Sequence, residues 1–168
     1  MRLDKDKMKK MNGYEEGKID AIDPETSEKA LSYKKNFLKQ FIAISPQQID
    51  ERLGDTHYYV TRKYDGEFAT LVYDQGMIVT INRSGRVRRG IPCIEEAAEL
   101  LKKAKIKSAV IPAEIYVDDS DKRTRTMDLI HALSSRGDIR ILHLAVFDIL
   151  EINDTAYRAE NYEETHKE

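Results

Sequence analysis

The feature that most constrains the fold is a set of three short runs rich in β-branched and aromatic residues, at positions 57–63, 67–74 and 77–83. The pairs Asp65-Gly66 and Gln75-Gly76 separate these runs, and a glycine in so short a connection is typical of the tight turn of a β-hairpin. Strands joined by such turns run in opposite directions. The sequence therefore predicts an antiparallel meander in this part of the chain.

Patterns on both sides of the meander extend it into a mixed domain. Before it, Asp23 and Pro24 form a typical helix start, apolar residues then recur at helical spacing as far as position 43, and a short second helix is expected to reach Leu53. The expected elements after it are a helix at 92–105, a strand at 108–117, a helix at 126–134 and a strand at 139–150. This order predicts an α+β domain with a largely antiparallel sheet and flanking helices.

Charge is nearly balanced over the whole chain but not along it. The 168 residues carry 28 lysines and arginines against 30 aspartates and glutamates, and the last eighteen carry six acidic residues but only two basic ones. Chain ends with so few apolar residues are typical of segments outside a core. The expected organisation is a polar, flexible extension at 1–23, a helical segment at 24–54, a core at 55–150 and an acidic tail at 151–168.

Cysteine content and hydropathy indicate the cellular setting. Because Cys93 is the single cysteine, an internal disulfide and a multi-cysteine zinc site are excluded. The sequence shows neither a secretory signal nor the run of about 18 apolar residues that a membrane span needs. We expect a cytoplasmic protein without a membrane partner, in an oligomeric state that the sequence leaves open. Cys93 follows Pro92 at an expected helix start, where a thiol pKa can be lowered.

The tetrapeptide KYDG at 63–66 is the first place where chemistry is expected. By itself it favours an ordinary hairpin turn with an exposed lysine. In the functional interpretation Lys63 is a nucleophile, whose amine must first lose the proton that it holds at an ordinary pKa of about 10.4. Nearby cations such as Arg62 and Arg83, or a metal-bound triphosphate, would favour that loss.

Three further elements carry residues suited to chemistry. The run 81–90 has four arginines and no acidic residue, so Arg83 offers a guanidinium to a phosphate and Gly85 lets backbone amides approach the same anion; a solvated basic hairpin is the plain alternative. Glu114 is a lone carboxylate in an apolar strand, either facing solvent or lining a cleft. Asp148 follows Phe147 in a second apolar run, where an unpaired carboxylate is costly, and Phe147 alone would belong to a core.

In this order and rough spacing, the four elements resemble the nucleotidyltransferase motifs of ATP-dependent DNA ligases. The KYDG turn is similar to the family's Lys-x-Asp-Gly motif, and the element at 83–85 resembles its arginine-glycine motif. Glu114 and the Phe-Asp pair at 147–148 resemble its acidic and aromatic-aspartate strands. The resemblance covers about residues 59–150 and implies part of the nucleotidyltransferase fold that DNA ligases share with capping enzymes.

Carried over position by position, the resemblance implies a lysyl-AMP reaction. Lys63 takes AMP from ATP and releases pyrophosphate with the help of Mg²⁺, Glu114 reaches the ribose hydroxyls, and Phe147 stacks on adenine. The AMP then passes to the 5′-phosphate of nicked double-stranded DNA, and the 3′-hydroxyl displaces it, as in DNA repair or replication. The other implied members of the site are Thr61 at the adenine amino group, Arg62 beside the nucleotide, Asp65 and Gly66 in the turn that presents the lysine, and Arg83 with Gly85 at the 5′-phosphate.

Three departures from the family pattern accompany the resemblance. Phe68 stands where an arginine is usual, and Pro112-Ala113 stands where Asp-Gly commonly precedes the acidic motif, which removes one backbone donor. No glutamate-bearing strand or Lys-x-Lys strand is recognisable after Asp148. We therefore expect the front portion of an adenylation domain, which labels weakly or not at all with ATP.

Other classes of function stay open. An RNA ligase or a capping-type guanylyltransferase shares the lysine motif, so RNA is not excluded as a partner, while Tyr64 and the run 147–150 favour a DNA ligase. A catalytically incomplete module that binds nucleotide or nucleic acid without turnover is favoured by the missing later motifs. A structural protein with an accidental lysine turn is disfavoured by the conjunction of the four elements.

Overall fold

The computed structural model describes residues 1–36, 42–54, 58–119, 121 and 123–157, and in these residues nine strands form one antiparallel sheet. The order across it is β1-β2-β5-β4-β3-β6-β8-β9, and β7 also pairs with β6. The strands are β1 Lys9–Lys10, β2 Glu15–Lys18, β3 Glu67–Asp74, β4 Met77–Asn82, β5 Arg86–Arg89, β6 Ser108–Val117, β7 Leu142–Val146, β8 Glu151–Ile152 and β9 Thr155–Ala156. The helices are α1 Pro24–Asn36, α2 Ile49–Leu53, α3 Pro92–Lys103 and α4 Thr126–Ala132. The predicted α+β class with an antiparallel sheet and flanking helices is confirmed.

The central strands agree best with the sequence pattern. β3 and β6 have the bounds predicted for them, and β4 ends one residue before the predicted limit at 83. These strands are apolar on both faces because each face packs against a helix layer, which gives a long and easily recognised pattern. Within the described residues, none of the helices is long and apolar enough to cross a membrane.

The strand predicted at 57–63 is wrong. Residues 58–65 have no regular secondary structure, and position 57 lies outside the described residues. The sheet itself explains this, because β3 is paired with β4 along one edge and with β6 along the other. No edge of β3 is left for a preceding strand, so the segment that carries Lys63 enters β3 as a loop.

Two predicted elements are shorter than expected. The helix predicted to reach 43 is described from Pro24 to Asn36; residues 37–41 lie outside the described residues, and residues 42–45 are not helical. The strand predicted at 139–150 is β7 alone, after a 3-10 turn at Ile139–Ile141 in which the Asp138 side chain accepts a hydrogen bond from the Arg140 amide. That side-chain bond stabilises a turn where the apolar pattern predicted a strand.

The N-terminal residues, for which the sequence predicted a flexible extension, join the sheet instead. β2 pairs with β5, so that Glu15 stands opposite Arg89 and Glu16 opposite Arg88. Tyr14 is buried beside this pair of strands. Charge density suggested a solvated segment, but here the acidic side chains of one strand face the basic side chains of the next, and such cross-strand pairs stabilise a sheet.

Two cores lie on opposite faces of the sheet. On one face α3 and α4 cover a cluster that includes Leu71 and Ile115. On the other face α1 covers a cluster that includes Val79 and Ile81. Thr70 connects this face to α1, since its hydroxyl donates to the Ala30 carbonyl at 2.7 Å. The sheet is thus held between helices, and its strand ends carry the candidate functional residues.

Candidate functional site

The irregular segment 58–66 carries Lys63, and we call it the lysine loop. Its backbone is held on the sheet by a close approach to the backbone of β6. The Gly66 amide donates to Glu114 Oε1 at 3.1 Å. A Cβ atom at Gly66 would lie 2.0 Å from the Ile115 carbonyl oxygen, so only glycine fits here. The loop therefore ends directly against β6, beside the carboxylate predicted to act with Lys63. Lys63 itself is exposed, and its amine makes no ion pair with the described residues.

The first turn of α4 contacts the same loop. The Thr126 hydroxyl lies 3.2 Å from Asp65 Oδ1 and 3.2 Å from the Gly66 carbonyl oxygen. One hydroxyl proton serves only one of these acceptors at a time, so the contact alternates between the side chain and the backbone of the loop. Thr126 could not be predicted from the sequence, because sixty residues separate it from the Gly66 carbonyl that it contacts.

The residues on either side of Lys63 form a row of stacked groups. The Arg62 guanidinium lies 4.9 Å from the centre of the Tyr64 ring and pairs with Asp118 at 3.8 Å. The Tyr64 ring lies 4.2 Å from that of Tyr116 on β6. Thr61, predicted at the adenine amino group, is exposed in the same irregular segment. The stacking on Tyr116 is a second attachment of the loop to β6.

An aromatic cluster stands next to Glu114 on the face covered by α1. Phe68 on β3 is the register partner of Glu114, so the two side chains share this face. The Phe147 amide donates to the Pro112 carbonyl at 3.3 Å, and its ring centre lies 6.1 Å from that of Phe68. Tyr33 of α1 completes the cluster: its ring is stacked on Phe68, with 5.9 Å between the ring centres, and is tilted against Phe147 at 6.1 Å. The structure thus brings together Glu114 and Phe147, as predicted, and adds Phe68 and Tyr33.

Asp148 has the partner that its apolar surroundings require. Burial of the Tyr33 phenol raises its pKa above the ordinary value, and the charge of Asp148 and a hydrogen bond to it raise the pKa further. The Asp148 carboxylate also accepts from the Ile149 amide at 2.8 Å. The Asp148 carboxylate, which would be costly to bury without a partner, is therefore paired with the Tyr33 phenol of α1.

The turn between β4 and β5 carries the second predicted anion contact. Gly85 has φ +77°, and a Cβ atom there would lie 3.0 Å from Ile19 Cβ, so the turn needs glycine for both backbone conformation and space. Its amide donates to the Asn82 carbonyl at 3.0 Å. Arg83 is exposed in this turn and makes no ion pair with the described residues. Arg83 is therefore placed to meet an anion from solvent, whereas Gly85 is buried and its amide is already bonded within the turn.

The other arginines of the run are not available to a phosphate in the way that the sequence suggested. Arg88 is only 2% exposed and bonds to both Glu16 and Glu67, while Arg86 pairs with Glu16 at 3.6 Å. Burial alone would lower the pKa of Arg88, but the two carboxylates outweigh it and hold the pKa above the ordinary value. Arg89 pairs with Glu15 at 3.5 Å. Arg83 is therefore the one arginine of the run that makes no ion pair with a described residue.

Metal and thiol chemistry find little support at these positions. Among the described residues, no three His, Cys, Asp or Glu side chains lie close enough to share an ion. The thiol of Cys93, expected to have a lowered pKa at a helix start, has the opposite shift: burial raises its pKa to about 11, against hydrogen bonds from backbone amides that lower it. That expectation is wrong because desolvation of the thiolate exceeds the effect of the helix end.

Two cavities of about 370 and 340 Å³ lie away from the candidate residues. The first is lined by residues that include Asp23, Asp74 and Glu151, and the second by residues that include Tyr14 and Arg89. Neither is lined by Lys63, Glu114 or Phe147. The candidate site is therefore an open arrangement at the strand ends and does not coincide with either cavity.

Comparison with solved structures gives a likeness to bacterial ligases. The chain is similar to the ligase domain of M. tuberculosis LigD, with a TM-score of 0.48 and 23% sequence identity over 62% of this chain and 32% of that one. It is also similar to mycobacterial DNA ligase D complexed with ATP and MES, with a TM-score of 0.46 and 23% identity over 62% of this chain and 33% of that one. The chain thus spans about a third of these ligase structures.

Sequence comparisons identify no family. No protein-family model matches the chain, and no curated protein matches it. The roles of individual residues are those that the resemblance of their motifs implies, and they stay predictions.

Proposed function

We propose that this chain is the nucleotide-binding front part of an ATP-dependent DNA ligase, in which Lys63 accepts AMP from ATP. The observation that carries the proposal is the contact of the Gly66 backbone with β6. This contact holds the lysine loop against Glu114, and Phe68 connects Glu114 to Phe147 on the same face of the sheet. A nucleophile, a partner for ribose hydroxyls and an aromatic platform are thereby held by three neighbouring elements.

The first reaction forms one bond and breaks another at the α-phosphorus of ATP. The Lys63 amine, once deprotonated, attacks the phosphorus; an N–P bond forms, and the P–O bond to the leaving pyrophosphate breaks. Glu114 accepts hydrogen bonds from the ribose, and Phe147 stacks on adenine. Thr61 contacts the adenine amino group, and Arg62 lies beside the nucleotide.

The second half of the proposal concerns DNA. Arg83 holds the 5′-phosphate at a nick, in a turn whose backbone conformation needs Gly85. An oxygen of that phosphate then attacks the α-phosphorus of the lysyl-AMP and displaces Lys63. Attack by the 3′-hydroxyl forms the new phosphodiester bond and releases AMP. Asp65 and Gly66 keep the lysine presented throughout, because both are fixed by contacts outside their own loop. Such a reaction would serve DNA repair or replication.

Mg²⁺ enters the proposal only as the counter-ion of the ATP phosphates. The described residues form no cluster that fits a protein-held ion, so no step is assigned to one. Mg²⁺ is commonly held by one or two carboxylates together with substrate phosphates, and this arrangement does not require a cage built by the protein.

A binding module without turnover is the second candidate function. One observation favours it: Phe68 replaces the arginine usual in the lysine motif. Such a module would still bind ATP through Glu114 and Phe147. An RNA ligase or a capping-type enzyme is a further alternative, which differs in the nucleotide or the polynucleotide used.

Incubation with α-labelled ATP and Mg²⁺ separates these candidates. We expect weak or no acid-labile label on the 168-residue chain and clear label on a version extended at its C-terminus. Binding of ATP without label on either version would support the non-catalytic module and contradict the ligase proposal. Preference for labelled GTP over ATP would favour the capping-type alternative.

A further inference from the structure

A series of buried polar contacts connects the lysine loop with the Arg83 turn. Its members are Glu16, Arg88, Glu67 and Asn82, which we call the Arg88 network. Glu67 directly follows Gly66, and Asn82 directly precedes Arg83. Two members of the network, Glu67 and Asn82, therefore lie next to the two elements proposed to bind the reacting phosphates.

The network lies on the face of the sheet opposite the candidate site. Glu67 neighbours Phe68 along β3, and side chains alternate between faces along a strand. Asn82 is the register partner of Ala69, which lies on the same face as Glu67. These side chains support the site from behind and do not touch a nucleotide bound beside Glu114.

Glu67 and Arg88 are bonded to two partners each at the centre of the network. Arg88 donates Nε to Glu16 Oε2 at 2.9 Å and Nη1 to Glu67 Oε2. The other oxygen of Glu67 accepts from Asn82 Nδ2 at 3.0 Å. Both oxygens of Glu67 are thus committed, one to a fixed guanidinium and one to the residue that begins the turn.

Asn82 in turn organises the backbone of the turn. Its side-chain oxygen accepts from the Ser84 amide at 3.0 Å, from the Ser84 hydroxyl at 2.8 Å and from the Arg86 amide at 2.8 Å. Its backbone carbonyl accepts from the Gly85 amide. Four hydrogen bonds to one residue define the conformation that exposes Arg83.

Stability alone is a poor explanation for this arrangement. A buried ion pair often contributes no more to folding than apolar side chains of the same size would, because both charges lose their hydration. A planar guanidinium between two carboxylates does, however, admit few relative placements of its partners. The network is therefore better suited to fixing positions than to adding stability.

We propose that Arg88, Glu67 and Asn82 are positioning residues that hold the Arg83 turn in a fixed place relative to the Lys63 loop, so that the 5′-phosphate of a nick is recognised beside the lysine. The identity of the phosphate rests on the proposed function. The fixed placement of the turn rests on the hydrogen bonds alone.

The test measures how well the full chain distinguishes a nicked duplex with a 5′-phosphate from one without it. A charge-assisted contact to the phosphate should give the wild type roughly a tenfold preference. Arg88→Met should reduce the preference for the 5′-phosphate to less than about threefold, while binding of the unphosphorylated nick stays unchanged. Arg88→Lys, which keeps the positive charge, should keep part of the preference. Arg89→Met, a change on the same strand outside the network, is the matched control and should keep the full preference.

Hydrogen exchange gives a readout that does not depend on DNA. In Arg88→Met, Glu67 is no longer held by the guanidinium, so the Asn82 side chain that it contacts is less firmly placed. The amides of Ser84 and Arg86, which donate to Asn82, should then exchange at least about ten times faster, while the amides of β6 keep their rates. Should Arg88→Met fail to fold, Glu67→Gln replaces it. The glutamine side chain has an NH₂ group in place of one carboxylate oxygen, and both Arg88 and Asn82 are donors, so one of the two hydrogen bonds is lost. The loss of preference for the 5′-phosphate and the faster amide exchange are therefore expected in weaker form.

The outcomes separate this inference from the proposed function. A wild type without preference for the 5′-phosphate, or a preference retained in Arg88→Met or Glu67→Gln, overturns the inference. Lys63→Ala should abolish labelling by ATP and leave the preference intact. Absence of ATP labelling on every version of the chain, with the preference still dependent on Arg88, would refute the ligase reaction and support the positioning role.

Discussion

At Gly66 the loop backbone and β6 leave no space for a side chain. The clash at a Cβ atom would be with a carbonyl oxygen of a central strand, which cannot move aside as a flexible side chain does. We expect Gly66→Ala to lower the free energy of unfolding by about 1–3 kcal/mol and to abolish ATP binding, because relief of the clash moves the loop away from Glu114. Urea denaturation and ATP titration measure the two effects.

Gly76→Ala is the matched control for that change. Gly76 lies in the β3–β4 turn at φ +89°, with nothing within 4 Å of its Cβ position. The substitution strains the backbone by about 1–2 kcal/mol but leaves the loop in place, so ATP binding should persist. Equal loss of ATP binding in both variants would show that destabilisation alone explains the effect of Gly66→Ala.

The Cys93 thiol provides a prediction about pH. Since burial raises its pKa to about 11 from 9.0, the thiolate fraction at pH 8 should be about 100 times lower in the folded than in the unfolded chain, and alkylation correspondingly slower. As the pH rises, the Cys93 thiol deprotonates in the unfolded chain before it does so in the folded chain. Its contribution to the free energy of unfolding is therefore fully present below pH 9 and is lost between pH 9 and about 11. Equal alkylation rates with and without urea would contradict this.

At the scale of elements, β3, α1 and the chain leaving β7 meet at one aromatic cluster. Phe147 lies against Phe68 and Tyr33 there, half-buried and beside Glu114. If adenine stacks on Phe147, Phe147→Leu should weaken ATP binding by roughly tenfold, since stacking of a base on an aromatic ring contributes about 1–3 kcal/mol. Phe147→Tyr keeps the ring face and should bind ATP normally.

Fluorescence titration with ATP and with tripolyphosphate checks this assignment. Phe147→Leu should change the affinity for ATP only, because tripolyphosphate has no base to stack. A Phe147→Leu variant with wild-type affinity for ATP, or one that loses both ligands alike, would remove Phe147 from the nucleotide site.

The sequence predicted those elements whose pattern is local. The apolar run of β6 and the apolar face of α3, with Ile94 and Ala98 buried, are both readable in a short window. The loop at 58–65 could not be predicted in this way, because its residues have strand-like composition and only the occupied edges of β3 prevent a strand. Pairing in a sheet is decided by distant residues.

At the scale of the whole molecule, the candidate site also divides into residues that local motifs predict and residues that only contacts between distant segments bring in. Lys63, Glu114 and Phe147 were predicted together through the resemblance to ligases, and the structure places their elements side by side. Arg88 was expected to face a phosphate, whereas its partners Glu16 and Glu67 stand 72 and 21 residues away in sequence. Tyr33 and Thr126 were missed for the same reason: each belongs to a different element from the residue that it contacts.

The identity of the residue that carries AMP tests the central claim most directly. After incubation with ATP and Mg²⁺, peptide mass spectrometry of the C-terminally extended version of the chain should find AMP on Lys63, and its Lys63→Ala variant should carry none. Arg62→Ala should remain modified, at a lower level, since it leaves the amine in place. AMP on any other residue, or modification that survives Lys63→Ala, would contradict the account.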